Sequence, residues 1–349
     1  MWKTNVGTGC ATVSIASGRL YAAGNRRDTD IIWCLDAATG KELWRHEYPE
    51  PLAAGLYEGG VNSTPTVDGD RVFALSKSGK LFCLRADTGA VVWSKNLHTD
   101  FGVQTPKWDG QEGWGHAGSA LVHGDKLLLN GLALSKTTGT LLWKADEPAA
   151  YSSPIIAFTN VVLSFHADGL SLRDVATGKL LAHHPWKTRY NVNAATPIVD
   201  GDKIFISSGY NRGGTLLQYA DGRLTVLWEN KNMRNQLATS ILWQGHLYGF
   251  NEDTLTCLEL STGQPQWAVG RFLGKGSLMM ADGHLIILGD KGDLVIVEAT
   301  PAAYKEVARA KVLEGHCWSM PVLANGRLYC KNIPGDLVCL AVGESARSK

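Results

Sequence analysis

The sequence CLDAATGKELWRHEY, Cys34–Tyr48, places a Thr-Gly pair four residues before a tryptophan. A near-copy, CLRADTGAVVWSKNL at Cys83–Leu97, starts 49 residues later, and CLELSTGQPQW at Cys257–Trp267 carries the pattern again. Glycine in a tight turn supplies a positive φ angle that most other residues avoid. The repetition therefore indicates a structural unit that the chain uses many times.

The spacing of these copies gives the length of the unit. Thr-Gly or a degenerate form of it recurs at Gly40, Gly89, Gly139, Gly178, Gly222 and Gly263, near Ala299 and at Gly343. The average step is about 43 residues, which is the length of one four-stranded blade of a β-propeller. Tryptophan follows the glycine by four residues at Trp44, Trp93, Trp143 and Trp267, is displaced by two at Trp228, and is replaced by Ala182 in the fourth unit.

Each unit also has the composition of four short strands. In residues 63–94, the runs STPTV, RVFAL, KLFCL and AVVWS are separated by Gly, Asp and Ser turns, which predicts an antiparallel meander. The one helix-like stretch, Pro301–Val312, occupies the place of a fourth strand. We therefore predict an all-β, eight-bladed β-propeller that forms a single domain over residues 1–349.

The two ends of the chain predict how the ring closes. Residues 1–8 match the strand that follows a Thr-Gly turn, whereas the last unit, 316–343, stops after its third strand. We expect the N-terminal strand to complete the last blade, with Trp2 as its tryptophan. Such closure removes exposed sheet edges.

The shared motif resembles the tryptophan-docking repeat of pyrroloquinoline quinone (PQQ)-like propellers, a quinoprotein-type family. This family includes alcohol dehydrogenases, the BamB-like lipoproteins of outer-membrane assembly and many secreted bacterial proteins. The resemblance covers essentially the whole chain and is more specific for the fold than for an activity. It implies tryptophans that wedge against the neighbouring blade: Trp2, Trp44, Trp93, Trp143, Trp228 and Trp267. It also implies a periplasmic or cell-envelope location, although residues 1–20 do not have the layout of a signal peptide.

Composition excludes some partners. The 34 Lys and Arg residues balance 33 Asp and Glu residues, so we expect no nucleic-acid partner. No apolar run is long enough for a transmembrane segment, and we expect a monomer. Cys34, Cys83, Cys257 and Cys339 share one position of the repeat and are interpreted as buried apolar residues. Cys10 and Cys317 are hypothesised to lie near the channel.

The loops that lead into the inner strands open beside the axial channel, where function concentrates in such a ring. Alignment of the units collects there Asn62, Trp114, His116, Tyr151, Arg189, Tyr190, Asn193, Arg234, Lys275, His316 and Trp318. This set is cationic and aromatic with few carboxylates. It is interpreted either as an ordinary polar channel lining or as a site for an anionic or hydroxyl-rich ligand. The long insertions at 49–60 and 98–115 are expected to form a partial rim or a protein-docking surface on the same face.

No metal site is predicted. His116 and His316 each stand alone in their motifs, and a metal needs three or four converging ligands. The sequence HHPW at His183–Trp186 follows the fourth strand of its blade by our alignment, and neighbouring side chains there point to opposite faces.

Three classes of function fit these observations. The favoured one is a non-catalytic propeller that docks a protein or binds a small, carbohydrate-like ligand. The alternative is a lyase or hydrolase acting on sugars or sugar acids at the channel mouth. A PQQ-dependent alcohol dehydrogenase is less favoured, because the resemblance implies a carboxylate-rich calcium site and adjacent cysteines that this sequence does not show. No cofactor is therefore expected, and neither PQQ nor calcium is supported.

Overall fold

The computed structural model describes residues 1–55, 57–108, 111–149 and 151–342. These residues form eight four-stranded antiparallel sheets and one separate two-stranded hairpin. The prediction of an all-β, eight-bladed propeller is confirmed. The predicted end of the last blade, Gly343, lies outside the described residues. Within the described part of the chain, no helix is long and apolar enough to cross a membrane.

The strands of each blade are called A to D from the channel outwards, and all elements are numbered in chain order. The chain opens with β1 (Trp2–Asn5). Blade one contains β2 (Ser14–Ala16), β3 (Arg19–Asn25), β4 (Thr29–Asp36) and β5 (Glu42–Pro49). Blade two contains β6 (Thr66–Asp68), β7 (Arg71–Leu75), β8 (Lys80–Arg85) and β9 (Val91–Asn96). The insertion before blade three contains α1 (Leu97–Phe101), β10 (Lys107–Trp108) and β11 (Gln111–Glu112).

The remaining blades follow the same order. Blade three contains β12 (Leu121–His123), β13 (Lys126–Leu129), β14 (Leu132–Ser135) and β15 (Leu141–Lys144). Blade four contains β16 (Ile155–Ala157), β17 (Val161–His166), β18 (Gly169–Asp174) and β19 (Leu180–Pro185). Blade five contains β20 (Ile198–Asp200), β21 (Lys203–Ser208), β22 (Gly213–Ala220) and β23 (Arg223–Asn230). Blade six contains β24 (Ile241–Trp243), β25 (His246–Asn251), β26 (Thr254–Glu259) and β27 (Pro265–Val269).

A short 3₁₀ helix, Arg271–Leu273, leads into blade seven. Blade seven contains β28 (Ser277–Ala281), β29 (His284–Leu288), β30 (Asp293–Glu298) and β31 (Glu306–Lys311). Blade eight contains β32 (Val322–Ala324), β33 (Arg327–Lys331) and β34 (Asp336–Ala341), and β1 is its strand D. Pro301–Val312 thus contains strand D of blade seven, as its place in the repeat predicts.

The burial of the strands explains their sequences. Strands β3 and β4 are buried along nearly their whole length because neighbouring blades cover both faces, so these strands are continuous apolar runs. Strand β5 lies at the outer edge and buries only Trp44 and Tyr48. The core is therefore a series of apolar layers between blades.

The repeated tryptophan crosses one of these layers. Trp44 lies opposite Cys34, donates its indole N–H to the carbonyl of Ala86 in blade two at 3.0 Å, and covers Gly89 with its ring. Gly89 has φ of +73°, and a Cβ there would lie 2.5 Å from the indole. Equivalent indole N–H bonds join Trp2 to Ala37, Trp93 to Lys136, Trp143 to Val175, Trp228 to Leu260 and Trp267 to Thr300. The repeated turn and the tryptophan thus form the two halves of one inter-blade contact.

The N-terminal strand closes the ring. Strand β1 pairs antiparallel with β34, and Trp2 lies opposite Cys339, as Trp44 lies opposite Cys34. The prediction that the N-terminal strand completes the last blade is confirmed.

The interface between blades four and five has a different wedge. Ala182 occupies the tryptophan position opposite Leu172, and nothing lies within 4 Å of a Cβ built on the corresponding turn residue, Gly222. Trp186 fills the interface instead, from the end nearer the channel mouth. It is 1% exposed and donates its indole N–H to Oγ of Ser208 in blade five at 3.0 Å.

The sequence HHPW, which ends at Trp186, begins earlier in the blade than predicted. His183 and His184 lie inside β19, whereas our alignment placed them after strand D. The ring of Trp186 is covered by the guanidinium of Arg212, whose Cζ lies 3.4 Å from the ring centroid. The sequence HHPW is therefore part of an inter-blade contact.

The cysteines are all unpaired. The four at the shared repeat position are buried, as predicted. Cys10 lines the central cavity, whereas Cys317 is buried in the apolar layer between blades seven and eight. The hypothesis of a position near the channel is thus right for Cys10 and wrong for Cys317.

Candidate functional site

Two rings of side chains line the axial channel, with one residue from each blade in each ring. The lower ring contains Thr12, Thr64, Ser119, Ser153, Thr196, Thr239, Ser277 and Met320. The upper ring lies two residues earlier in every blade, nearer the channel mouth, and contains Cys10, Asn62, Ala117, Tyr151, Ala194, Leu237, Lys275 and Trp318. Side chains two residues apart on an extended chain point the same way, so each inner segment contributes to both rings.

The lower ring joins neighbouring blades through its hydroxyl groups. The hydroxyl oxygen of Thr64 accepts from the backbone N–H of Thr12 at 3.1 Å, and that of Ser119 accepts from the backbone N–H of Thr64 at 3.0 Å. In the same way, the backbone N–H of Ser119 donates to the hydroxyl oxygen of Ser153 at 2.9 Å. The backbone N–H of Thr196 donates to the hydroxyl oxygen of Thr239 at 2.9 Å. Our sequence reasoning missed this ring, although a hydroxyl residue at one fixed offset in seven units was a signal for it.

The upper ring lacks this uniformity and surrounds a cavity of about 650 Å³. Four of the predicted site residues belong to this upper ring: Asn62, Tyr151, Lys275 and Trp318. Two others, Trp114 and Tyr190, line the cavity nearer the mouth. Tyr57 and Tyr210 also line it and were missed, and Gln236 lines it as the alignment of residues 234–236 with the channel mouth predicts. Among the described residues that line the cavity, Lys275 is the one charged side chain.

The insertions of blades two and three form part of the cavity wall. Asn62 Nδ2 donates to the hydroxyl of Tyr57 at 2.8 Å and to the carbonyl of Trp114 at 2.8 Å, and so connects the two insertions. The ring of Trp114 meets that of Tyr151 edge to face at 5.2 Å. Burial raises the pKa of Tyr151 to about 12, so this phenol stays protonated. The expected partial rim is therefore built from both insertions.

Two predicted site residues point away from the cavity. His116 and Asn193 each lie one residue before an upper-ring position, Ala117 and Ala194, so their side chains point to the other side of the segment. Asn193 is fully buried; its Nδ2 donates to the carbonyls of His166 and Trp186 at 2.8 and 3.2 Å. Burial lowers the pKa of His116 to about 4, so this imidazole is neutral. Cys317 also lies one residue before an upper-ring position, Trp318, so its side chain likewise points away from the cavity.

Three further predicted residues lie at the mouth without lining the cavity. The guanidinium of Arg189 lies over the ring of Tyr190, 5.0 Å from its centroid. Arg234 Nε donates to Asn251 at 2.6 Å. His316 is exposed, stacks on Trp318 with a centroid distance of 5.6 Å, and lies 2.6 Å from Glu58 Oε1 through its Nδ1. His316 thereby connects blade eight to the insertion of blade two.

The cavity does not fit PQQ with calcium. Calcium takes carboxylate and carbonyl oxygens as ligands, and no Asp or Glu occurs among the described residues that line the cavity. No group of three or more His, Cys, Asp or Glu residues in the described part of the chain could hold a metal ion. The donors present suit an uncharged or anionic organic ligand better than a cation.

The closed eight-bladed ring and its docking tryptophans define a PQQ-like repeat β-propeller. Residues 27–269 match the family model described as outer membrane protein assembly factor BamB, and the chain belongs to this family. The outer membrane protein assembly factor BamB of Yersinia pestis is 23% identical over 368 residues, which cover 97% of this chain and 87% of that protein.

Solved structures share the fold. The crystal structure of BamB from Moraxella catarrhalis superposes with a TM-score of 0.72 at 16% identity, covering 99% of this chain and 97% of that one. Quinohemoprotein alcohol dehydrogenase from Comamonas testosteroni gives a TM-score of 0.71 at 13% identity, covering 100% of this chain and 77% of that one. At these identities the likeness concerns the fold alone.

Proposed function

We propose that this protein is a non-catalytic docking scaffold of the cell envelope that binds a protein of outer membrane assembly. The names of its relatives support the class of partner, since they are outer membrane protein assembly factors. The same names support a location in the cell envelope. The binding surface in this proposal is the channel-mouth face, which carries the connections from strand D to the next strand A and the turns between strands B and C.

The observation that carries the proposal is the wall that the described residues of the two insertions form on that face. Helix α1 is capped by Asn96, whose Oδ1 accepts from the backbone N–H groups of His98 and Thr99. Lys77 Nζ donates to the carbonyl of Ala53 at 2.9 Å and lies 5.0 Å from the ring centroid of Tyr57. Blade packing does not need these contacts, because other blades are joined without such insertions. A wall held by such contacts above the ring suits protein docking.

The alternative of a carbohydrate-active enzyme has less support. A glycosidase uses a pair of carboxyl groups at the scissile bond, and the described lining of the cavity contains none. Release of reducing ends from neutral or uronic-acid polysaccharides, abolished by Tyr151→Phe, would favour the enzyme over the scaffold.

Site-specific crosslinking tests the docking face. A photo-crosslinking residue is placed at Ala54 or Thr99, which are exposed on the wall, and at Thr88 or Thr138, which are exposed on the opposite face. In cell envelopes, the proposal expects a discrete crosslinked product containing an outer membrane assembly protein from the first pair alone. Equal products from both faces, or none from the wall, would contradict it.

A further inference from the structure

We propose that the axial cavity binds a small carboxylate that has one flat, apolar face. This inference concerns the interior of the ring and does not rest on the proposed docking function. Three independent features of the cavity lead to it: its charge, its free hydroxyl donors and its aromatic walls.

The charge of the cavity favours an anion. Lys275 has no hydrogen-bond or ion-pair partner among the described residues, and no described carboxylate lines the cavity beside it. The guanidinium of Arg189 lies 5.0 Å from the ring centroid of the wall residue Tyr190 and adds positive charge at the mouth. A lysine ammonium in a partly enclosed site binds a carboxylate through charge-assisted hydrogen bonds.

The lower ring adds hydrogen-bond donors below this charge. Thr64, Ser119, Ser153 and Thr239 each use a lone pair to accept a backbone N–H from the preceding blade. Their hydroxyl hydrogens meet no acceptor within the described residues. A hydroxyl group can donate while it accepts, so these four groups offer O–H donors to the cavity. Donors without carboxylates beside them select a ligand rich in acceptor oxygens.

The walls select a flat ligand. Trp318 follows Lys275 in the upper ring, and the parallel stacking of His316 on the indole, at an interplanar angle of 7°, covers one of its faces. Ala117 and Ala194 are small members of the same ring and leave room across the channel. A volume of about 650 Å³ lies within the range of small-molecule sites. An aromatic ring or the apolar face of a sugar fits such walls.

Two pairs of compounds that differ in one group provide the test. The protein is titrated by calorimetry with benzoate and its neutral partner benzamide, and with glucuronate and its neutral partner glucose. The proposal expects at least one acid to bind about tenfold tighter than its neutral partner, with the difference falling as salt is raised. The variant Lys275→Gln should remove the difference, whereas Lys41→Gln, at an exposed turn on the opposite face, should leave it unchanged.

The remaining outcomes count against the proposal. Equal affinities for an acid and its neutral partner would show that charge does not select the ligand. If Lys41→Gln reduced the affinity difference as much as Lys275→Gln does, the binding site would not be the cavity. No binding of either acid up to about 10 mM, far above the dissociation constants of specific sites, would overturn the site itself. A melting curve of Lys275→Gln that matches the unmodified protein excludes misfolding as the cause of lost binding. None of these outcomes depends on the crosslinking result.

Discussion

Trp44 and Trp186 hold blade interfaces together from opposite ends. Trp44 lies near the turn between strands C and D and donates to a backbone carbonyl, that of Ala86. Trp186 lies near the channel mouth and donates to a side-chain hydroxyl, that of Ser208. Ser208 in turn donates to Asn193 Oδ1 at 2.7 Å, so the second wedge belongs to a polar network.

The difference shows what an interface of this ring needs. An indole must fill the apolar layer and find an acceptor for its N–H, but its place along the interface can change. At the interface between blades four and five the indole lies elsewhere, so the turn residue Gly222 is left uncovered. The new position of the indole has ionisable neighbours. The indole of Trp186 thus lies beside the ionisable side chains of His184 and Arg212.

The largest expected effect comes from removing either wedge. Replacing a buried tryptophan by alanine costs roughly 3 to 5 kcal/mol. We expect Trp186→Ala to be at the upper end of this range, because it also removes the N–H donor to Ser208 Oγ and the ring beneath the Arg212 guanidinium. Trp44→Ala is expected at the lower end. Urea unfolding measures both values. Trp243→Ala, at a position that is 36% exposed, is the control and should cost less than about 1 kcal/mol. A smaller loss for Trp186→Ala than for Trp44→Ala would show that Trp186 is not the substitute wedge.

A second comparison uses the two glycine turns. Gly89 and Gly222 have φ values of +73° and +74°, so alanine is strained by a similar amount at both, about 1 kcal/mol. At Gly89 the new methyl group also meets the ring of Trp44, and we expect a total loss of roughly 2 to 4 kcal/mol. The difference between Gly89→Ala and Gly222→Ala in thermal unfolding measures the contact alone. Equal losses would mean that the indole adjusts without cost.

The smallest expected effect concerns pH. Burial lowers the pKa values of His166 and His184 in blade four. The unfolded chain therefore takes up protons as pH falls below about 6.5 while the folded state does not, so the free energy of unfolding decreases with falling pH. We expect His184→Gln to lose less stability between pH 7.5 and pH 5 than the unmodified protein, and His123→Gln, outside this interface, to follow the unmodified protein.

Buried groups of opposite sign do not affect this test. Burial raises the pKa of Asp30 in blade one to about 6, and this group favours the folded state as pH falls. Asp30 is present in every variant, so its contribution to the free energy of unfolding cancels when variants are compared. An unchanged slope in His184→Gln would assign the pH dependence to another region.

The repeat predicts the architecture well because spacing and turn residues act locally. The number of blades, the closing strand and the role of Trp2 all follow from one motif and its interval. Side-chain direction is harder to predict, since an error of one residue reverses it. His116 and Asn193 were assigned to the cavity and in fact face away from it, one position from Ala117 and Ala194. The substitution of Trp186 for the missing tryptophan also depends on contacts between blades that no single unit contains.

The pairing of β1 with β34 sets a condition on the synthesis of this protein. Trp2 is synthesised long before its partner Cys339. At about 5 to 20 residues per second, the first strand waits roughly 20 to 70 s for the strand that it completes. The ring therefore has no closed state until β34 has been made.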